Sequence, residues 1–196
     1  MKRNSLFSLS AAAALGLVGV VLAIQPASSA ALQDADSQTI REVARGGYLV
    51  KIMGCNDCHT PWKVSPDGHA EPDMTRMLSG HPQDLVMPPL KPAEAPWAWT
   101  GAGTNTAFSG PWGVSFTANL TPDIETGLGK WNADTFVRAL RTGRHEGQGR
   151  PILPPMPYPM YRNATDEDLH AIFTFLQSIP PIRNRVPQPI DPPESE

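Results

Sequence analysis

Cys55-Asn56-Asp57-Cys58-His59 contains the only two cysteines in a chain of 196 residues. Two thiols separated by two residues and followed at once by an imidazole form C-x-x-C-H, the attachment motif of a c-type haem. The chemistry needs that spacing. One turn of helix lays both sulfurs along the edge of the porphyrin that carries its two vinyl groups. The next residue then falls beneath the iron, where haem proteins commonly place a histidine. Two other chemistries use paired cysteines. A disulfide is the ordinary expectation in an exported protein, and a C-x-x-C redox pair should follow a strand in a βαβ pattern. No such alternation precedes Cys55, and neither chemistry accounts for His59.

The residue on the opposite face of the iron decides between electron transfer and ligand chemistry. Met156 is the leading candidate, because the segment 150–159 carries five prolines around it. Proline fixes φ, so such a loop loses little entropy on folding and holds a soft sulfur without further support. Met160 is the nearest alternative, and Met87, in Val86-Met87-Pro88-Pro89, is a weaker version of the same arrangement. His69, His81, His145 and His170 are the remaining imidazoles. His170 falls on a predicted helix with a solvent-facing position, and His145 sits in a Gly-rich turn that places it at the surface.

These groups need elements to position them. Ile40, Val43, Gly47 and Val50 recur at helical spacing and predict a helix over 36–53 leading into the motif. Gly46-Gly47 costs helix propensity, and a close helix crossing at Gly47 would account for it. Over 61–111 no periodicity persists, and Pro, Gly, Trp97 and Trp99 predict a long irregular excursion, with a short hairpin around 100–115. A second helix over 133–141 is capped by Asn132 and stopped by Gly143, with Phe136, Val137 and Leu140 on its apolar face. A last helix begins after Thr165 with acids in its first turn. It carries Leu169, Ile172, Phe173, Leu176 and Ile179 at three- and four-residue steps, and ends at Pro180-Pro181.

Residues 1–30 read as a signal peptide. Lys2 and Arg3 precede an uncharged apolar stretch over 11–24, and Ser28-Ser29-Ala30 supplies small residues for cleavage after Ala30. The apolar run is shorter than the ~20 residues of a bilayer span, so membrane attachment is expected only if the segment is retained. The chain has a formal charge of −3; removal of Lys2 and Arg3 leaves 14 basic and 19 acidic residues, a charge of −5. No basic run suggests a nucleic-acid partner. Residues 31–185 are expected to form a single domain, and 186–196 a Pro-rich acidic tail over the surface.

Helices at both ends, a haem motif after the first and a Met loop before the last make this sequence similar to class I cytochromes c, and to the cytochrome domains of periplasmic alcohol and gluconate dehydrogenase haem subunits in particular. The residues carrying the likeness are Asn119-Leu120-Thr121-Pro122-Asp123, Thr126 to Trp131, Pro155-Met156-Pro157-Tyr158 and Thr165 to Leu169. The resemblance implies a mostly α, cytochrome c-like fold around haem c, and the single attachment motif gives one haem. It makes His59 and Met156 the axial ligands and packs the Asn119–Trp131 segment beside the porphyrin. Those subunits carry several haems, whereas this sequence has one attachment motif.

Burying the porphyrin disc supplies much of the core at ~25 cal/mol per Å². Its propionates need donors, for which Asn119, Trp131, Arg150 and Tyr158 are the candidates by their place in these motifs. The function expected is a periplasmic monohaem carrier that passes single electrons from a dehydrogenase to another cytochrome or an oxidase and turns over no substrate. The competing readings are a haem subunit within a dehydrogenase complex and a haem enzyme or sensor with an exchangeable sixth ligand.

Overall fold

The computed structural model of the chain describes residues 29–88 and 96–192. The expected signal peptide lies outside them except for its last two residues, as do 89–95 of the irregular stretch and the end of the tail.

Helix α1 (Ser29–Ile52) runs into the single-turn helix α2 (Cys55–His59); α3 (Ala133–Thr142), the short α4 (Tyr158–Tyr161) and α5 (Asp166–Ser178) complete the helical part. Asn132 caps α3 by accepting a hydrogen bond from Thr135 N, and Gly143 closes it at φ 66°, a left-handed conformation that glycine adopts without strain. Thr165 caps α5 by accepting from Asp168 N. Asn132→Ala is expected to cost about 1 kcal/mol, read as a fall in Tm of about 2–4 °C for a chain of this size.

The apolar faces of α1, α3 and α5 meet in one core, in which Leu49, Val50, Phe136, Leu169, Ile172 and Leu176 are buried. The α1–α5 crossing is closest at Gly46, where a Cβ would lie 1.9 Å from the Ala171 carbonyl oxygen. The expected site of approach, Gly47, is one residue off. A Cβ there would meet only the Phe175 ring, at 3.0 Å. Ile40 is likewise not a core residue and is 69% exposed; on α1 the buried positions are Gly46, Leu49 and Val50. Asp168 pairs with Arg45 along this seam at 2.9 Å, an exposed contact worth less than about 1 kcal/mol.

The mostly α expectation needs correction, because the stretch after the haem motif contains two small antiparallel sheets. Strands β1 (Trp62–Val64) and β2 (Ala70–Pro72) form a hairpin with Trp62 opposite Pro72. Strands β3 (Thr100–Gly101), β4 (Ala107–Gly110) and β5 (Gly113–Phe116) form a three-stranded sheet in that order. The hairpin expected around 100–115 is the β4–β5 pair, with Ala107 opposite Phe116. The β1–β2 hairpin has no counterpart in the sequence pattern: strands of two to four residues are too short to display alternation.

The chain after α5 is fastened to the body of the protein, and from 186 to 192 it runs along the surface with its residues exposed or half-exposed. Ile182 N donates to Thr121 Oγ1 at 3.0 Å. The Asn184 side chain is buried, donates to the carbonyls of Ser79 and His81 at 2.7 and 2.8 Å, and accepts from Gln83 N at 2.9 Å. Farther on, Val114 and Ile190 exchange two backbone hydrogen bonds of 2.8 and 2.9 Å. A Cβ on Gly113 would stand 2.0 Å from the Ile190 carbonyl, so this strap lies directly on β5.

Candidate functional site

Gly54 turns the chain between α1 and α2, and one helical turn sets Cys55 and Cys58 on neighbouring positions of one face. Both thiols are free. Burial pushes the Cys55 thiol up to about 11 and raises that of Cys58 as well. Thiols held protonated are unlike the low-pKa pairs of disulfide oxidoreductases. His59 is buried, and its Nδ1 lies 2.8 Å from the Ala118 carbonyl oxygen. A carbonyl only accepts, so Nδ1 carries the proton, and burial lowers the ring's pKa and keeps it neutral. That leaves the Nε2 lone pair for a metal, with the outer hydrogen bond that orients ligating histidines.

Cys55, Cys58 and His59 line a cavity of about 570 Å³ shared with Met156. The Met156 loop is held from two sides. Ser115 Oγ on β5 donates to the Pro154 carbonyl at 2.6 Å, and Ile152 N donates to Gly143 O beyond the end of α3 at 2.8 Å. Met160 is 71% exposed and is not on the cavity wall. Met87 lines a separate open groove beside Trp62 and Val64. Met53, which no motif singles out, is also on the cavity wall.

Of the other histidines, His81 is fully buried, with Nδ1 against Thr106 Oγ1 and Nε2 against Leu85 O, both at 2.9 Å. Neither nitrogen is left for a metal. His69 and His170 are exposed. His145 is exposed, as expected, and it also borders the cavity, packing edge-on against Trp131 at 5.3 Å.

The four expected propionate donors separate. Trp131 and Arg150 line the cavity. Asn119 lines it too, but its side-chain amide donates to Ile182 O at 2.7 Å and its Oδ1 accepts from Thr121 Oγ1 at 2.7 Å. Its polar atoms therefore tie the loop to the strap. Tyr158 is not on the wall: its ring packs on Gly143, where a Cβ would come within 2.2 Å of it. One turn farther along α4, Tyr161 takes the wall position and donates its hydroxyl hydrogen to Met53 O. Burial pushes its phenol up to about 12. Arg185, which no local motif indicates, also lines the cavity.

The wall fits a haem by the chemistry of its donors. It offers two thiols, a neutral imidazole nitrogen, a thioether, and the cations Arg150 and Arg185, neither of which has a carboxylate partner among the described residues. Asp57 and Glu125 also border it, and Glu125 is neutralised by Arg183 at 2.8 Å. The Thr117 hydroxyl on the same wall is buried without a hydrogen-bond partner among the described residues. Buried polar atoms are normally paired.

No family model matches the chain. Its relatives over most of its length are cytochrome c subunits of dehydrogenases. It is 28% identical over 90% of its length to the cytochrome c subunit of the quinone alcohol dehydrogenase of Gluconobacter oxydans, covering 28% of that protein. To the cytochrome c subunit of gluconate 2-dehydrogenase from Pantoea cypripedii it is 27% identical over 83% of its length, covering 29% of that subunit. A shorter match, 40% identical over 41% of the chain, is to a nicotinate dehydrogenase subunit from Pseudomonas putida, of which it covers 7%. The chain spans less than a third of each of these relatives.

Proposed function

We propose that this chain is an electron-transfer haem protein that carries one c-type haem, linked through thioethers to Cys55 and Cys58 and ligated by His59 and Met156. The observation that carries the proposal is the single cavity on which both thiols, the oriented imidazole and the Met156 loop converge. A count of one is supported by the single attachment motif in this sequence. When bound there, the group supplies a reversible one-electron couple. The residues do the rest. His59 donates to Ala118 O and so keeps one tautomer. The stiff loop keeps Met156 at the wall, and the apolar faces of α1, α3 and α5 exclude water. With Met156 as a ligand the site would leave no position for substrate at the iron, which supports a carrier rather than a catalyst.

The relatives' names favour a second form of the same activity, in which the chain serves as the haem-bearing subunit of a dehydrogenase. Weak redox encounters bury less than about 1,200 Å², whereas a subunit interface buries more and survives purification. The N-terminal Lys2, Arg3, the apolar stretch and Ser28-Ser29-Ala30 support export to the periplasm, where a dehydrogenase would serve as donor and a cytochrome or oxidase as acceptor. Among the described residues no helix is long and apolar enough to cross a membrane.

A pyridine haemochrome assay with redox titration, on protein matured where haem attachment operates, tests the reading. One covalent haem per chain and a single one-electron wave are expected. Exported protein with Cys55 and Cys58 oxidised to a disulfide and no haem would refute it. Co-purification with a dehydrogenase at constant stoichiometry distinguishes the subunit from the free carrier.

A further inference from the structure

The strap after α5 is tied to the protein on both sides of Arg185. Upstream, the Asn184 side chain makes three hydrogen bonds of 2.7–2.9 Å to Ser79, His81 and Gln83. At Arg185 itself, the backbone N–H donates to Gln83 Oε1 at 2.9 Å. Downstream, Ile190 pairs with Val114. Between these ties, residues 185–189 form part of the cavity wall. The guanidinium of Arg185 makes no ion pair among the described residues, although the neighbouring Arg183 pairs with Glu125. Arg185 is exposed at the rim of the cavity; a cation placed there by three independent anchors, its guanidinium without a hydrogen bond or ion pair among the described residues, is arranged to receive an anion.

We infer that Arg185 binds a haem propionate, with the strap as the device that positions it, and that its charge raises the reduction potential. The inference rests on the haem reading above. The sign follows from electrostatics. A positive charge near the haem disfavours the oxidised form, which carries one more positive charge than the reduced form. It also neutralises a propionate that would otherwise favour oxidation. Because the anchoring bond uses the backbone, the side chain can be changed without releasing the strap.

The test compares Arg185→Gln, Arg185→Lys and the distant charge control Arg41→Gln in the full haem-loaded chain, with haemochrome content and midpoint potential measured on each. At the potential where the parent is half reduced, Arg185→Gln is expected to be about tenfold oxidised over reduced, a shift of about 59 mV for one electron. Arg185→Lys should stay within about twofold of the parent, and Arg41→Gln should match it. All three should carry one haem per chain. Full haem content with an unshifted Arg185→Gln would overturn the assignment and leave the haem reading standing. So would an Arg185→Lys shift as large as that of Gln, which would mark a packing effect instead. A parent that binds no haem would overturn both.

Discussion

Met156→Ala should lower the midpoint potential on the order of 0.1 V, part of the roughly 0.8 V range that axial ligands span. The same variant should lose the sulfur-to-iron charge-transfer band of the oxidised form and bind carbon monoxide when reduced. Thioether sulfur stabilises the reduced iron and closes the sixth position, so its removal does both at once. Three controls localise the effect. Met160→Ala should change neither property, since Met160 is 71% exposed and off the wall. Met87→Ala should also be silent, because Met87 belongs to another groove. His145→Ala is the decisive comparison. His145 shares the wall with Met156 and packs on Trp131, so it is the imidazole best placed to ligate instead. If His145→Ala opens the iron and Met156→Ala retains the parent spectrum and potential, the axial pair is two histidines and the carrier reading loses its sulfur.

A second large effect is expected in the scaffold. Gly46→Val should destabilise the protein by about 3 kcal/mol or more, at the upper end of overpacking costs, and lower Tm by about 6–12 °C in thermal unfolding followed by circular dichroism. The obstacle is backbone. A Cβ would stand 1.9 Å from the Ala171 carbonyl oxygen and 2.5 Å from its carbon, and neither can rotate away. Helices α1 and α5 would have to separate, and α1 carries the Cys55–His59 turn at its end, so haem incorporation should fall with stability. Gly47→Ala is the matched control. There the neighbour is the Phe175 ring at 3.0 Å, which can tilt, and the gain in helix propensity of about 1 kcal/mol offsets the contact. Equal losses for the two variants would mean that α1 and α5 do not cross at Gly46.

Local chemistry made much of this protein legible from its residues alone. The motif at Cys55–His59, the caps at Asn132 and Thr165, the stop at Gly143 and the apolar stripe of α5 each depend on residues within about one turn of each other, so their signal survives without the fold. The stiff loop around Met156 was legible for a similar reason: five nearby prolines limit what it can do. The three-dimensional packing decided the rest. Crossing at Gly46 rather than Gly47 depends on how α1 rotates against α5, which one strip of sequence does not encode. Tyr161 replaces Tyr158 on the wall because the short α4 turns Tyr158 toward Gly143. Asn119 is spent on the strap, and Arg185 reaches the cavity, because residues 182–190 return to pair with segments 60 to more than 100 positions earlier. Such pairings form only when the loop entropy of bringing distant segments together is outweighed by the whole set of contacts. They leave no periodicity or motif at either partner by which a sequence could announce them.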